Sequence, residues 1–267
     1  MIPFFPELCY AVPYHLHRSA QDEEESLRQR AVFEKYSQMD RSRLGLAGAG
    51  EWESLEPLLP DFAGKRVLDL GCGYGWHCIY AGGTTARASV TGVDLSEKML
   101  AVAREKTTAP QVTYIRGDMA ETPFPPESFD VVLSSLAIHY LPSFTDFLER
   151  VRQCLSPGGD FVFSVEHPIF TAAGPQEWYY GPDGTPLHFP VDRYFEEGRR
   201  TARFLGEDVT KYHRTLTTYL DTLLRRGFRL LRVVEPQPSE ELLRQVPDMK
   251  EELRRPMMLI VLAQKDA

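Results

Sequence analysis

Apolar residues recur along this 267-residue chain as short runs separated by longer amphipathic segments. Runs of four to eight apolar or β-branched residues between turn signals suit strands buried on both faces of a parallel sheet. Regular alternation of such strands with helical segments is typical of a doubly wound, mostly parallel α/β sheet. The predicted strands are Val67–Leu70, Ser89–Asp94, Val112–Ile115, Phe129–Ser134, Asp160–Glu166, Phe228–Val234 and Met257–Ala263.

The helices predicted between and before these strands divide the chain into parts. One segment, Pro168 to Asp208, breaks the alternation with aromatic residues, glycines and prolines that show no clean periodicity. We therefore predict a single domain with an N-terminal helical cap (1–60), a core (61–167), an insertion after the fifth strand (168–210) and a C-terminal part (211–267). The predicted helices are Glu23–Met39, Glu51–Leu59, one from Trp76, Ser96–Lys106, Ser143–Leu155, His213–Arg226 and one within Glu240–Arg254.

A glycine-rich turn follows the first predicted strand. Gly71, Gly73 and Gly75 alternate with Cys72 and Tyr74. Glycine permits positive φ and a close approach of the backbone to a ligand. The free N–H groups at the start of the next helix face the same crevice. Strand, turn and helix together indicate the first half of a nucleotide-binding βαβ unit.

Three further residues indicate which nucleotide binds. Asp94 ends the second strand about 20 residues after the turn, where a ribose-binding acid belongs. Trp76 occupies the position where a dinucleotide fingerprint needs its third glycine, which disfavours a diphosphate cofactor. Asp69, inside the first strand, suits a ligand with an ammonium group. A ribose, an amine and no phosphate fit S-adenosylmethionine better than NAD.

With these features the sequence resembles a known family. VLDLGCGYG, VTGVDLSEKML, GDMAETPFPPESFDVVLSSLAIHYL and LSPGGDFVFSVEHP are similar, in this order, to the motifs of class I S-adenosylmethionine-dependent methyltransferases. The similarity is densest over residues 64–167 and is greatest to a bacterial branch that includes ubiquinone/menaquinone-biosynthesis-type enzymes. It implies a Rossmann-like methyltransferase fold with seven strands, an antiparallel final strand, and S-adenosylhomocysteine as a product.

The resemblance also suggests roles for residues at the strand ends. The glycine turn and Asp69 would contact the methionine end of the cofactor, and Asp94 the ribose. An N-terminal helix would form a lid, or would only cap the sheet. The expected cofactor-binding residues are Asp69, Gly71, Gly73, Gly75, Asp94, Leu95, Met99, Asp118, Met119, Ser134, Ser135, Tyr36 and Arg41.

Methyl transfer asks the protein mainly to align the acceptor, since the sulfonium already activates the methyl group. A general base is needed only for some acceptors. His139 and His167 follow the fourth and fifth strands and are the candidate catalytic residues, although each suits a loop-shaping role as well. The candidate acceptor-binding residues are Tyr140, Trp178, Tyr179 and His213.

The insertion is expected to select the acceptor, because its aromatic side chains are of the kind that line small-molecule pockets. The alternative is that these side chains only pack a long loop against the rest of the domain. An anionic acceptor could bind to Arg199, Arg200 and Arg203. We favour the interpretation that these arginines are solvated and balance the charges of Glu196 and Glu197.

Bulk properties restrict the partners. A hydrophobic content of 43% and a charged content of 25% are ordinary for a globular enzyme. The net charge of −8 gives no overall basic surface for nucleic acid. No apolar run approaches the roughly 20 residues of a membrane span, and the start has no basic region typical of a signal peptide. We therefore expect a cytoplasmic enzyme with a small-molecule acceptor and no metal, as a monomer or homodimer.

Three alternatives stay open at this level. An RNA or protein methyltransferase would need a local basic stripe. A non-catalytic S-adenosylmethionine-binding module would keep the fold without an acceptor, and a dinucleotide-dependent oxidoreductase is disfavoured by Trp76. The arginines that offer such a stripe are Arg225, Arg226, Arg229, Arg232, Arg254 and Arg255.

Overall fold

A computed structural model of the chain describes residues 33–84 and 88–267. Its strands are β1 Arg66–Leu70, β2 Ser89–Asp94, β3 Val112–Arg116, β4 Phe129–Ser135, β5 Leu155–Glu166, β6 Tyr179–Tyr180, β7 Pro186–His188, β8 Gly198–Phe204, β9 Glu207–His213, β10 Phe228–Val234 and β11 Met258–Lys265.

Seven of these strands form one sheet in the order β10-β11-β5-β4-β1-β2-β3. The pairs among β1 to β5 are parallel, whereas β11 runs antiparallel to both β5 and β10. The predicted doubly wound, mostly parallel sheet and its antiparallel last strand are confirmed. The strand order reverses beside β1, which places the ends of β1, β2 and β4 around one crevice.

Four of the helices begin where the sequence offers a serine or threonine side-chain cap. Ser96, Ser143, Thr215 and Ser239 each accept a hydrogen bond from the backbone N–H three residues later. The α-helices are α1 Asp40–Arg43, α2 Trp52–Leu55, α3 Trp76–Thr84, α4 Glu97–Lys106, α5 Phe144–Cys154, α6 Pro168–Thr171, α7 Leu216–Arg225 and α8 Glu240–Gln245; 3₁₀ turns cover Gly45–Gly48, Glu56–Leu58, Ile138–Tyr140 and Pro247–Arg254.

The predicted helix Glu23–Met39 lies only partly within the described residues. Residues 33–37 are helical, and residues 23–32 lie outside the described part. The predicted helix Glu51–Leu59 is instead α2 followed by a 3₁₀ turn.

Both faces of the sheet are covered. Successive strand residues point to opposite faces, so Leu68 packs with α5 and α7 while Val67 packs with α3, α4 and the cap. Phe147 of α5 and Leu100 of α4 are fully buried on these two sides. Each such side chain contributes about 1.5–3 kcal/mol when it leaves water. The helices packed on the two faces hold in place the end of the sheet at which the parallel strands finish.

The insertion differs from its prediction, because it contains two β-hairpins, β6–β7 and β8–β9. The two-residue turn of the second hairpin has positive φ at Leu205 and Gly206, as type I′ turns require. Leucine is rare at such a position, so the turn could not be predicted from its residue types. β9 continues to His213, past the predicted end of the insertion, and α7 begins only at Leu216. The predicted helix start at His213 is therefore wrong.

The fifth strand also starts earlier than predicted. α5 ends at Cys154, and β5 begins at Leu155 with a register shift against β4 before Asp160. Within the part of the chain that the structure describes, no helix is long and apolar enough to cross a bilayer.

Candidate active site

The glycine turn between β1 and α3 forms the floor of the crevice. Gly71 and Cys72 donate their N–H groups to the Val93 carbonyl at 2.8 and 3.0 Å. A Cβ on Gly71 would lie 2.5 Å from the Ala137 Cβ, and one on Gly75 would lie 2.3 Å from the Tyr114 hydroxyl. These two glycines are therefore needed for close packing.

Gly73, at the centre of the turn, is different. Its φ is +53°, and the nearest atom to an added Cβ would be the Tyr36 hydroxyl at 3.9 Å. The turn thus leaves space on its crevice side, between Gly73 and Tyr36. This open cradle, whose floor has no side chain, fits a ligand that lies against the backbone.

Asp94 is held against this turn. Its Oδ2 accepts from the Gly73 N–H at 2.9 Å and its Oδ1 from the Ser96 N–H at 2.8 Å. Burial raises the pKa of Asp94, and these two hydrogen bonds oppose the increase. A carboxylate has about four acceptor sites, so capacity is left for ribose hydroxyls.

Asp69 lies deeper, with 1% of its surface exposed. Its Oδ2 accepts from the Cys78 thiol at 3.3 Å. Burial raises the pKa of Asp69 to about 7, against the opposing effect of the Cys78 hydrogen bond. Its carboxyl, beneath the turn, therefore holds its proton more readily than an exposed aspartate does.

Four more of the predicted cofactor-binding residues follow the ends of β2 and β3. Leu95 is 66% exposed and Met99 half-buried. The Asp118 carboxylate accepts from the Ala120 N–H at 2.8 Å, as in an ordinary Asx turn. The Met119 sulfur would lie 3.4 Å from a Cβ on Gly71, so the structure brings this side chain beside the glycine turn.

The end of β4 forms one wall of the crevice. The Ser134 hydroxyl donates to the Leu70 carbonyl at 2.8 Å. The Ser135 hydroxyl lies 3.0 Å from the Ser164 hydroxyl and 3.3 Å from Glu51 Oε1. The two serines therefore link β4 to the strand before the turn and to the cap.

The cap places Tyr36 and Arg41 at the same crevice. The Tyr36 ring packs edge-on to Tyr74 with centroids 5.5 Å apart. Burial raises the pKa of Tyr36, and the nearby Arg41 opposes the increase. Arg41 forms an ion pair with Glu51, which is 1% exposed. Sequence reasoning missed Glu51, because it resembles the other acids of the EWESLE stretch.

A second cluster lies where β4 and β5 end. His139 is 2% exposed, and its Nδ1 accepts from the Glu166 N–H at 3.4 Å. Burial lowers the pKa of His139 to about 4. Glu166 pairs with Lys211 at 2.5 Å, and Tyr140, next to His139, is 40% exposed. Sequence reasoning missed Glu166 and Lys211 because β9 was not predicted.

The other two candidate histidines are engaged in local structure. His167 caps α6, accepting from the Ile169 N–H at 3.1 Å, and its Nε2 lies 2.9 Å from Glu235. Both ring nitrogens of His213 are occupied, by the Thr171 hydroxyl at 2.7 Å and the Tyr194 carbonyl at 2.8 Å. These contacts give both rings a structural task, and their functional roles stay predictions.

The insertion residues divide between packing and exposure. Trp178 packs against the Arg254 guanidinium at 4.6 Å, whereas Tyr179 is 58% exposed. Arg200 is 7% exposed and donates to the carbonyls of Ala172 and Glu196, so the expectation of a solvated charge is wrong there. Its neighbours Arg199 and Arg203 are exposed. Among residues 33–84 and 88–267, no cluster of three or more His, Cys, Asp or Glu could hold a metal ion.

Comparisons with known proteins agree with this geometry. A family model described as a methyltransferase domain matches residues 68–163. A Listeria monocytogenes crystal structure assigned as an S-adenosylmethionine-dependent methyltransferase is 53% identical over 84% of this chain and 100% of that chain, with a TM-score of 0.78. The S-adenosylmethionine-dependent methyltransferase of Mesorhizobium loti is 45% identical over 83% and 100% of the two chains, with a TM-score of 0.76.

A more distant relative has a named activity. The fatty-acid O-methyltransferase of Mycolicibacterium smegmatis is 36% identical over 50% of this chain, and the match spans about half of the relative, 47%. The two crystal structures cover most of this chain at high identity, so they decide its membership of a family. This chain belongs to the S-adenosylmethionine-dependent methyltransferases and is an enzyme that uses S-adenosylmethionine as its cofactor.

Proposed function

We propose that this enzyme transfers the methyl group of S-adenosylmethionine to a small-molecule acceptor. The observation that carries the proposal is the anchoring of the β8–β9 hairpin onto the rim formed by the ends of β4 and β5. A hairpin fixed at this rim walls the crevice where an acceptor must approach. Such a crevice suits a small molecule that fits entirely inside it better than it suits a segment of an RNA or a protein.

Three buried side chains at the end of β9 anchor the hairpin. Lys211 of β9 pairs with Glu166 at the end of β5 and also donates to Gln176 at 3.0 Å. Arg214, 5% exposed, donates to the Leu141 carbonyl in the loop after β4. His213 bonds to Thr171 in α6. The hairpin is therefore tied to the sheet edge through side chains that water does not screen.

The residues around the crevice fit the cofactor. The open cradle at Gly73 accepts a ligand along the backbone, and Asp94 has acceptor capacity for two ribose hydroxyls. When bound, the cofactor supplies an activated methyl group on a sulfonium. The remaining task of the chain is to align the acceptor and exclude water. His139 is neutral near pH 7 because burial lowers its pKa to about 4, so it suits a hydrogen-bonding role better than that of a strong base.

The charge distribution disfavours a nucleic-acid acceptor. Four of the six arginines that offered a basic stripe pair with acids, which weakens phosphate binding. Arg225 pairs with Asp221 at 2.6 Å, Arg226 with Glu149 at 3.6 Å, Arg254 with Glu251 at 2.5 Å and Arg255 with Glu252 at 2.7 Å. The fatty-acid acceptor named for the Mycolicibacterium relative also supports a small-molecule acceptor.

The experiment supplies methyl-labelled S-adenosylmethionine to the purified enzyme in a cell extract and separates the products by size. We expect label in small molecules, identified by a methyl mass increase in mass spectrometry. Label confined to RNA or protein would overturn the proposal. Calorimetry with S-adenosylhomocysteine on the same sample confirms that the enzyme is competent to bind its product.

A further inference from the structure

Glu51 is a buried acid of the N-terminal cap, and it contacts Ser135 at the end of β4. Its Oε1 pairs with Arg41 and lies 3.3 Å from the Ser135 hydroxyl. Its Oε2 is also buried, yet it forms no hydrogen bond with any of the described residues. With the side chain 1% exposed, water is largely excluded from this oxygen.

A buried carboxylate oxygen without a partner is costly, and such groups in folded proteins usually serve a ligand or a function. The position of Glu51 suits a ligand. Ser135 ends β4 beside Ser134, whose hydroxyl bonds to Leu70 just before the glycine turn. The charge of Glu51 also acts on Tyr36, whose hydroxyl points toward Gly73, and on His77 in the first turn of α3.

The methionine end of the cofactor is an α-amino acid, with an ammonium and a carboxylate on one carbon. The pair of Arg41 and Glu51 presents both signs of charge side by side in a low-dielectric setting. We infer that Glu51 binds the α-ammonium group of S-adenosylmethionine through Oε2, while Arg41 and Ser135 hold its other oxygen in place. The inference rests on the cofactor and is independent of the acceptor.

Asp69 is the rival ligand for this ammonium group. Its carboxyl is equally buried, but its Oδ2 accepts from the Cys78 thiol inside the sheet layer. Glu51, in contrast, has an oxygen with no described partner and lies in the cap that contacts the crevice. The two acids can be distinguished by mutation. Substitution of the acid that binds the ammonium group should weaken only those ligands that carry the amino-acid end.

The test uses calorimetry with two ligands that differ in that end. S-adenosylhomocysteine carries the amino acid, and 5′-methylthioadenosine lacks it. We expect Glu51→Gln to weaken S-adenosylhomocysteine binding by about 10- to 100-fold, the effect of losing a hydrogen bond between charged groups, and to leave 5′-methylthioadenosine unchanged. Glu53→Gln, an exposed acid in α2, is the matched control and should change neither affinity.

Equal weakening of both ligands would mean that Glu51 only supports the cap, and unchanged binding of both would mean that it has no role; either result overturns the inference. A selective loss in Asp69→Asn but not in Glu51→Gln would assign the ammonium to Asp69 instead. If Glu51→Gln fails to fold, Ser135→Ala takes its place. It should weaken S-adenosylhomocysteine alone by about two- to tenfold, and no selective loss there would likewise overturn the inference.

Discussion

Replacing Lys211 by methionine tests how the insertion is held on the active-site rim. Lys211 is 2% exposed, and its Nζ lies 2.5 Å from Glu166 Oε1 and 3.0 Å from Gln176 Oε1. Methionine keeps most of the volume of the lysine stem but removes the charge. The variant therefore leaves the Glu166 carboxylate buried without its cation.

The magnitude follows from this burial. Breaking a buried ion pair by removing one partner costs about 3–5 kcal/mol in the free energy of unfolding. Glu166 keeps the Gln176 amide as a donor at 2.7 Å, so we expect the lower end, about 3 kcal/mol. For a chain of this size that corresponds to a melting temperature lower by about 6–12 °C.

The loss should depend on pH in a direction set by Glu166. In the folded enzyme burial acts to raise the pKa of Glu166, but His139, Lys211 and Gln176 outweigh it and the net pKa is lowered. The wild-type carboxylate thus adds stability above its unfolded pKa, about 4.3, and this is lost as pH falls through the folded value. When Lys211 is removed, the effect of burial on Glu166 is less opposed, and the pKa of Glu166 in the folded variant rises. Protonation of Glu166 at acid pH then removes the unpaired charge and reduces the destabilisation. The destabilisation should be larger at about pH 7.5 than at about pH 5.

Urea unfolding at the two pH values measures this difference. The double variant Lys211→Met with Glu166→Gln should recover most of the loss, because no buried charge is left unpaired. Lys65→Met is the control: Lys65 lies 3.8 Å from Asp160 with 34% of its side chain exposed, so its loss should cost less than about 1 kcal/mol. A loss below about 1 kcal/mol for Lys211→Met, equal at both pH values, would refute this account of the anchor.

Three further predictions concern the crevice itself. Asp94→Ala should weaken S-adenosylhomocysteine binding in calorimetry by about 10- to 100-fold, and an unchanged affinity would remove Asp94 from the site. Gly73→Ala should lose binding, because its Cβ enters the open cradle, and should cost about 1–2 kcal/mol in stability, because its φ is +53°. Gly75→Ala should lower the melting temperature further, since its φ is also positive and its Cβ would lie 2.3 Å from the Tyr114 hydroxyl. The His139 ring should stay neutral, with no titration in NMR between about pH 8 and pH 6, and a midpoint near its usual value of about 6.5 would contradict its burial.

Much of the fold follows from local signals in the sequence. The seven strands of the main sheet, the glycine turn and the helix N-cap residue Ser96 were predictable, because each depends on a pattern within a few neighbouring residues. The β8–β9 hairpin was missed because its turn uses Leu205 at positive φ, where glycine or asparagine is usual.

The site was less predictable than the fold, for a different reason. Asp94 and the glycines follow from position in the βαβ unit, but Glu51, Glu166 and Lys211 look like surface charges in the sequence. Their burial depends on partners far along the chain: Glu166 and Lys211 are 45 residues apart, and Ser135 is 84 residues from Glu51. Only the folded chain shows that these charges are removed from water.

Two largely buried ion pairs occupy corresponding places. Arg41–Glu51 ties the N-terminal cap to the end of β4 through Ser135, and Lys211–Glu166 ties the insertion to the end of β5. Apolar contacts would hold these segments as firmly, since a buried ion pair often gives no more stability than a hydrophobic replacement. What a directional pair adds is one defined geometry, because a shift of either partner leaves a charge unpaired. We therefore infer that the core sheet supplies the cofactor crevice, while the two charge pairs fix the positions of the segments that complete its walls.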